Sequence, residues 1–258
     1  MDYEEWMYGY ALRPKTIKQR VEFAQWRLRE WGTWDQRPSV IGAWLGTYTG
    51  WTALTYHSHL SSIYKWQVEQ GLLETNPMAT VRRPPTPEPK PRPLSPSQVV
   101  AVLDGTQGHL RSWMLLALLA GLRRHEIAKF RGEDIDQTSI FVDGKGGKEA
   151  LLPSHPDLWH LAQEYPRKGF WFPSPVRPGE TYSPDHVSGQ IADRFRAVGI
   201  ERGSIHRLRA TFGTNLLRSG VNIRVVQKLM RHSSLAATEH YLGVDDNELV
   251  AAINMLAA

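Results

Sequence analysis

Apolar residues recur at helical spacing along most of the chain, and the pattern is interrupted once by a strand-like stretch. In residues 1–81 it predicts three helices. The first is capped by Thr16 and runs to about Glu30, with Val21, Ala24, Leu28 and Trp31 along it. Pro38 opens the second, which carries Ile41, Trp44 and Leu45. The third spans about Thr52 to Gln70, with Leu54, Leu60, Ile63, Tyr64 and Val68, and Gly71 ends it as a left-handed cap. Seven of the ten tryptophans lie here (Trp6, Trp26, Trp31, Trp34, Trp44, Trp51 and Trp66). A bundle this small needs side chains of that size to build a core.

From residue 94 onward the pattern is again mainly helical. Ser95-Pro96-Ser97-Gln98 reads as a helix start. Trp113 to Phe130 reads as a long apolar helix or a helix pair broken at Gly121. Ser139–Val142 and Glu149–Pro153 flank the turn Asp143-Gly144-Lys145-Gly146-Gly147-Lys148 and predict a hairpin. Further helices are expected near 155–164, 184–197, 206–219, 222–231 and 246–257. The fold class is thus mainly α, with a small β-hairpin sheet in the second half.

Between the halves, residues 82–93 hold six prolines in twelve positions. Such a run forms neither helix nor central strand. It stays extended and stiff, spanning roughly 30–35 Å at about 3.1 Å per residue. We therefore place a helical domain at 1–81, a linker at 82–97, and a second domain at 98–258 ending in a tail helix. That tail carries Leu249, Ala252, Ile253 and Leu256 at helical spacing.

Composition narrows the class. The chain has 258 residues and no cysteine, which excludes a disulfide scaffold, a Cys-ligated zinc site and a thiol nucleophile. No apolar run approaches the roughly 20 residues of a membrane span, and the N-terminus does not read as a secretory signal. A soluble, cytoplasmic protein is expected. Net charge is +5, and its distribution is uneven. Residues 82–97 hold Arg82, Arg83, Lys90 and Arg92 against Glu88 alone, whereas residues 1–81 are balanced. The stretch is either a solvated linker or a basic strap along a phosphate backbone.

Several polar residues stand out in the second domain. Arg123 and Arg124 interrupt an apolar run, with Glu126 three residues beyond Arg123. They form either a helix-end salt bridge or an arginine held rigidly towards an anion. Lys145 and Lys148 sit in a glycine-rich hairpin tip that fits no nucleotide phosphate loop. His206 and Arg209 share one face of a helix start. His232 and Tyr241 follow. Arginines fork onto phosphate oxygens, histidine and lysine move protons near neutrality, and a deprotonated tyrosine is a nucleophile. Together they can transfer a phosphoryl group without a metal.

Four segments, in this order, resemble the tyrosine recombinase (phage integrase) family. They are Gly121-Leu122-Arg123-Arg124-His125-Glu126, the hairpin Val142–Glu149, Ile205-His206-Arg207-Leu208-Arg209, and Met230-Arg231-His232 through Tyr241. The resemblance implies a site-specific DNA recombinase with catalytic Arg123, Lys145, His206, Arg209, His232 and Tyr241, supported by Glu126. It implies a core-binding domain at 1–81 and a catalytic domain closing round double-stranded DNA. Lys15, Lys18, Arg82, Arg83, Lys90, Arg92 and Arg231 are then candidate DNA contacts, and Thr55, His59 and Lys65 are candidates to reach a groove. It implies a 3′-phosphotyrosyl intermediate, no metal or other cofactor, and a tetramer on DNA joined through the tail helix. The setting is the cytoplasm of a bacterial host, at the nucleoid.

Two positions depart from the family pattern: Ala210, where a second histidine is common, and Arg231, where glycine is common. The chain also reads as a short form without an arm-binding domain. An integrase acting on phage or mobile-element DNA is the main expectation. A Xer-like chromosome resolution recombinase and a catalytically silent DNA-binding relative are the alternatives, and a type IB topoisomerase shares the chemistry.

Overall fold

A computed structural model describes residues 2–87, 92–144 and 148–231. Lys90, Lys145, His232, Tyr241 and the expected tail helix lie outside the described residues. The chain divides into two compact units, Met1–Glu88 and Pro89–Ala258.

The described residues of the first unit form α-helices α1 (Tyr3–Gly9), α2 (Pro14–Trp31), α3 (Pro38–Gly46) and α4 (Gly50–Glu69), followed by a short 3-10 turn at Pro77–Ala79. Periodicity does not mark the short α1, which has only seven residues. Its signal is a reciprocal cap, in which Asp2 accepts from the Glu5 amide at 2.7 Å and Glu5 accepts from the Asp2 amide at 3.3 Å. Thr16 is not the cap of α2. Pro14 opens that helix after Arg13, because its fixed φ suits the first helical position.

The core of this unit is aromatic. Met7, Ile17, Ile41, Leu60, Ile63 and Tyr64 are buried, and Trp44 stacks on Tyr56 while Phe23 meets Trp26 edge-on and Trp44 at a tilt. α1 is fastened to α4 by Trp6 Nε1 donating to Glu69 at 2.7 Å and Tyr3 donating to Ser62 at 3.0 Å. Arg27 is 1% exposed, with its guanidinium over Trp26 and Trp44 at 4.4 Å and Trp31 at 5.0 Å, and it donates to Glu30. A buried guanidinium persists because three ring faces and one carboxylate replace its water.

The second unit contains α5 (Pro96–Leu103), α6 (Gly108–Leu119), α7 (Arg124–Ala128), strands β1 (Ser139–Gly144) and β2 (Lys148–Pro153), α8 (Pro156–Ala162), α9 (Pro184–Ala197), α10 (Ile205–Arg218) and α11 (Ile223–Leu229). α6 is the centre. Trp113, Met114, Leu116 and Ala117 pack with Val187, Ile191 and Phe195 of α9 and with Ile205 and Leu208 of α10. The expected Ser95 cap is present, its hydroxyl accepting from Gln98 N at 3.2 Å. The apolar stretch to Phe130 is a helix pair, α6 and α7, and Gly121 lies between them.

β1 and β2 pair antiparallel from Ser139↔Pro153 to Gly144↔Lys148. Ile140, Val142 and Leu152 face the core, while Phe141 and Leu151 face outward, as the period of two requires. Among the described residues no helix is long and apolar enough to cross a membrane.

Candidate active site

The site is built on the turn between α6 and α7. Gly121 has φ +58°, and a Cβ there would lie 2.6 Å from Phe212 Cδ1. Only glycine allows both the left-handed turn and the close seat of α10 against it. Gly213, within α10 itself, allows a similarly close seat for Met230, whose sulfur a Cβ would meet at 2.4 Å. These two contacts bring three segments distant in sequence to one place: 121–126, 206–213 and 230–231.

Arg123 caps the N-terminus of α7, and Glu126 reaches back to it. The carboxylate accepts from the Arg123 amide at 2.7 Å, from Arg123 Nη1 at 2.9 Å and from Arg231 Nη2 at 2.7 Å. The side chain of Glu126 is 1% exposed. Burial by itself would push its carboxyl up. Arg231, together with the bonds and charge of Arg123, outweighs that and holds the pKa below the ordinary carboxylate value. The expected Arg123–Glu126 pair is therefore a helix-start clasp rather than two neighbours on one helical face.

Arg209 lies deeper. It is 5% exposed, and its guanidinium donates to the carbonyls of Gly121 and Met230. Arg123 Nη2 donates to the Arg231 carbonyl at 3.0 Å. The two arginines are thus tied to the same two turns. His206, one helical turn before Arg209, is at the solvent-facing rim. Desolvation of its ring, then the positive charges of Arg124, Arg209 and Arg123, hold its pKa below 6.5. The shift favours the neutral imidazole, the form that accepts a proton. Arg124 turns aside to Asp185, at 2.7 Å.

The guanidinium groups of Arg123 and Arg231 hold one buried carboxylate, and Arg209 is tied to the adjoining turns, so three cations stand against one acid and the cluster attracts an anion. Of the residues expected to form the site, the structure brings Arg123, His206, Arg209 and Glu126 together. Lys145, His232 and Tyr241 lie outside the described residues. His232 would directly follow Arg231 in the chain.

The expected DNA contacts separate. Lys15, Lys18, Arg82, Arg83 and Arg92 are exposed, and Lys18 pairs with Glu22 at 3.8 Å. Arg231 does not share this exposure. Its side chain is 9% exposed and turned inward to Glu126. The reason is its backbone, which has φ +51°. Glycine adopts such a backbone freely, which gives the departure noted at this position a conformational meaning, and the expected DNA contact by Arg231 is replaced by an internal one. Thr55 and Lys65 are exposed on α4, but His59 is half-buried with Phe23 edge-on to its ring at 4.9 Å. Among the described residues no group of three His, Cys, Asp or Glu could hold a metal ion.

With this geometry in hand, similarity to known proteins is specific. The model of the phage integrase family matches residues 93–248. A tyrosine recombinase of Pseudothermotoga lettingae is 33% identical over 211 residues, covering 77% of this chain and 72% of that one. The integrase of mycobacterium phage Brujita is 34% identical, with 99% of this chain and 91% of that chain covered, at a TM-score of 0.53. A lambda integrase (75–356) dimer bound to a COC′ core site shares the fold at a TM-score of 0.74 and 20% identity, with 94% of each chain covered. The chain belongs to the phage integrase family of tyrosine recombinases. It is by that membership an enzyme of DNA strand breaking and rejoining.

Proposed function

We propose that the chain is a phage-type integrase that cuts and rejoins DNA through Tyr241. The observation that carries this is the convergence of Arg123, Arg209 and His206 on one positively charged face, held by Glu126. In the proposed step the Tyr241 oxygen attacks the scissile phosphorus and passes its proton to His206. Arg123 and Arg209 take the charge growing on the non-bridging oxygens. Lys145 gives a proton to the departing 5′-oxygen as the P–O5′ bond breaks, and His232 hydrogen-bonds the phosphate. The 3′-phosphotyrosyl ester keeps the bond energy, so a 5′-hydroxyl from a partner strand reverses the attack without ATP. Losing either arginine should slow cleavage by about 10²–10³-fold, as for other preorganised oxyanion donors.

What supports integration and excision of phage DNA over chromosome resolution is the 34% identity to the phage Brujita integrase, against 18% to a XerA recombinase over the same 99% of this chain. The first unit would act as core-binding domain and the second as catalytic domain, with the linker residues Arg82, Arg83, Lys90 and Arg92 following phosphates between them. Lys15 and Lys18 would add contacts from α2. Four protomers would assemble on paired attachment sites in the bacterial cytoplasm, each tail helix docking on a neighbour.

The test is covalent trapping. Nicked duplexes tiled across the genomic DNA around the gene are incubated with wild type or Tyr241→Phe and then denatured in detergent. Wild type should yield protein-linked DNA in the presence of a chelator, and Tyr241→Phe should bind the same duplex without linkage. Tight binding by wild type with no linkage would favour the silent DNA-binding alternative.

A further inference from the structure

We infer that Arg231 is a positioning residue of the active site, bracing Glu126 and the Gly121 turn so that Arg123 and Arg209 are held ready for the phosphate. This rests on the proposal that those two arginines are the phosphate ligands.

The guanidinium of Arg231 reaches the parts that hold both. Its Nη2 donates to Glu126 Oε2 at 2.7 Å and to the Gly121 carbonyl at 3.1 Å, and its Nη1 donates to the Leu229 carbonyl at 3.1 Å. Glu126 is the clasp of Arg123, and the Gly121 carbonyl is an anchor of Arg209. The Arg231 backbone carbonyl in turn accepts from Arg123. One residue thus touches the support of each proposed ligand and one of the ligands itself.

Its backbone explains how the side chain gets there. At φ +51° the Cβ leaves the chain in a direction that an ordinary helix end does not offer. A non-glycine residue in that region is held by its surroundings, and here the surroundings are a charge-assisted fork onto Glu126 and Gly121. With glycine at 231 the turn would form unstrained, but Glu126 would lose one of its two cations. Its carboxylate would then rest on Arg123 alone, and the Gly121 carbonyl would keep only Arg209. The near-complete burial of the Arg231 side chain argues against a direct DNA contact.

The experiment uses the full chain and the nicked duplex on which wild type is trapped. Arg231→Gly suits the left-handed backbone and should fold, and Arg231→Lys keeps the charge without the fork. We expect Arg231→Gly to bind the duplex within about twofold of wild type but to cleave it about 10–100-fold more slowly in single turnover. Arg231→Lys should recover part of that rate. In an Arg123→Ala background, Arg231→Gly should slow cleavage by less than it does alone, because the part of the brace that acts through Arg123 is already gone and only the part that acts on Arg209 through the Gly121 turn is left to lose. Independently of DNA, exchange of the Arg123 guanidinium protons, followed by NMR, should be faster in Arg231→Gly than in wild type.

A full multiplicative loss in the Arg123→Ala background would overturn the inference, as would a defect in affinity with cleavage unchanged. If Arg123→Ala itself cleaves like wild type, the phosphate-ligand proposal fails, whereas unchanged proton exchange in Arg231→Gly shows that the brace itself is absent.

Discussion

Replacing Gly121 by alanine tests the turn on which the site stands. Two separate costs are expected. The backbone has φ +58°, and an L-residue there costs about 1–2 kcal/mol. The new methyl group would lie 2.6 Å and 2.8 Å from Phe212 Cδ1 and Cε1, and relieving such overpacking costs about 1–3 kcal/mol. The total is about 2–5 kcal/mol, read by urea unfolding with far-UV circular dichroism. The parts can be separated, since Phe212→Ala removes the ring but leaves the backbone cost. The double variant should therefore be more stable than the sum of the singles by about 1–3 kcal/mol. Because the Gly121 carbonyl is an anchor of Arg209 and Arg231, cleavage should slow as well. Additivity of the two variants within about 0.5 kcal/mol would refute the close approach of α10 to the turn. A loss below about 1 kcal/mol would refute the left-handed constraint.

Glu126→Gln removes the carboxylate that Arg123 and Arg231 share, and breaking a buried pair of this kind should cost about 3 kcal/mol in urea unfolding at neutral pH. Since the folded pKa of Glu126 is depressed, its contribution is complete above the free value near 4.5 and is lost as pH falls through the folded value. The stability gap between wild type and Glu126→Gln should be flat above about pH 5 and narrow below it; a gap that widens on acidification would contradict the pairing. In the first unit, burial and then Arg20 lower the His59 pKa to about 4. The unfolded chain takes up that proton near pH 6.5 and the folded one does not, so stability should fall between about pH 6.5 and 4. His59→Phe should flatten that slope in tryptophan-monitored unfolding, and an unchanged slope would exclude His59 as its source.

Much of the fold is legible because its determinants are local. Periodicity marks α3, α4, α9 and α10 to within a few residues, and the Ser95–Gln98 pair marks α5. The alternation about the glycine-rich tip marks the hairpin, since period and turn chemistry both belong to neighbouring residues. α1 is missed because seven residues are too few for a period to show, although Asp2 and Glu5 carry its cap. Thr16 is misread as a cap because a proline two residues earlier starts the helix by constraining φ.

The site divides in the same way. Arg123, His206 and Arg209 are marked in the sequence by motif and order. Their meeting is decided by long-range steric contacts: Gly121 against Phe212 and Gly213 against Met230, across 91 and 17 positions of the chain. What Arg231 does is likewise tertiary. Its identity makes it look like one more basic contact for DNA, and only the left-handed backbone and the carboxylate of Glu126, 105 residues away, turn it inward. Local propensity and pattern are properties of adjacent residues and survive in the sequence. The direction of a side chain and the partner of a charge depend on which surfaces the fold brings together, and there the tertiary structure decides.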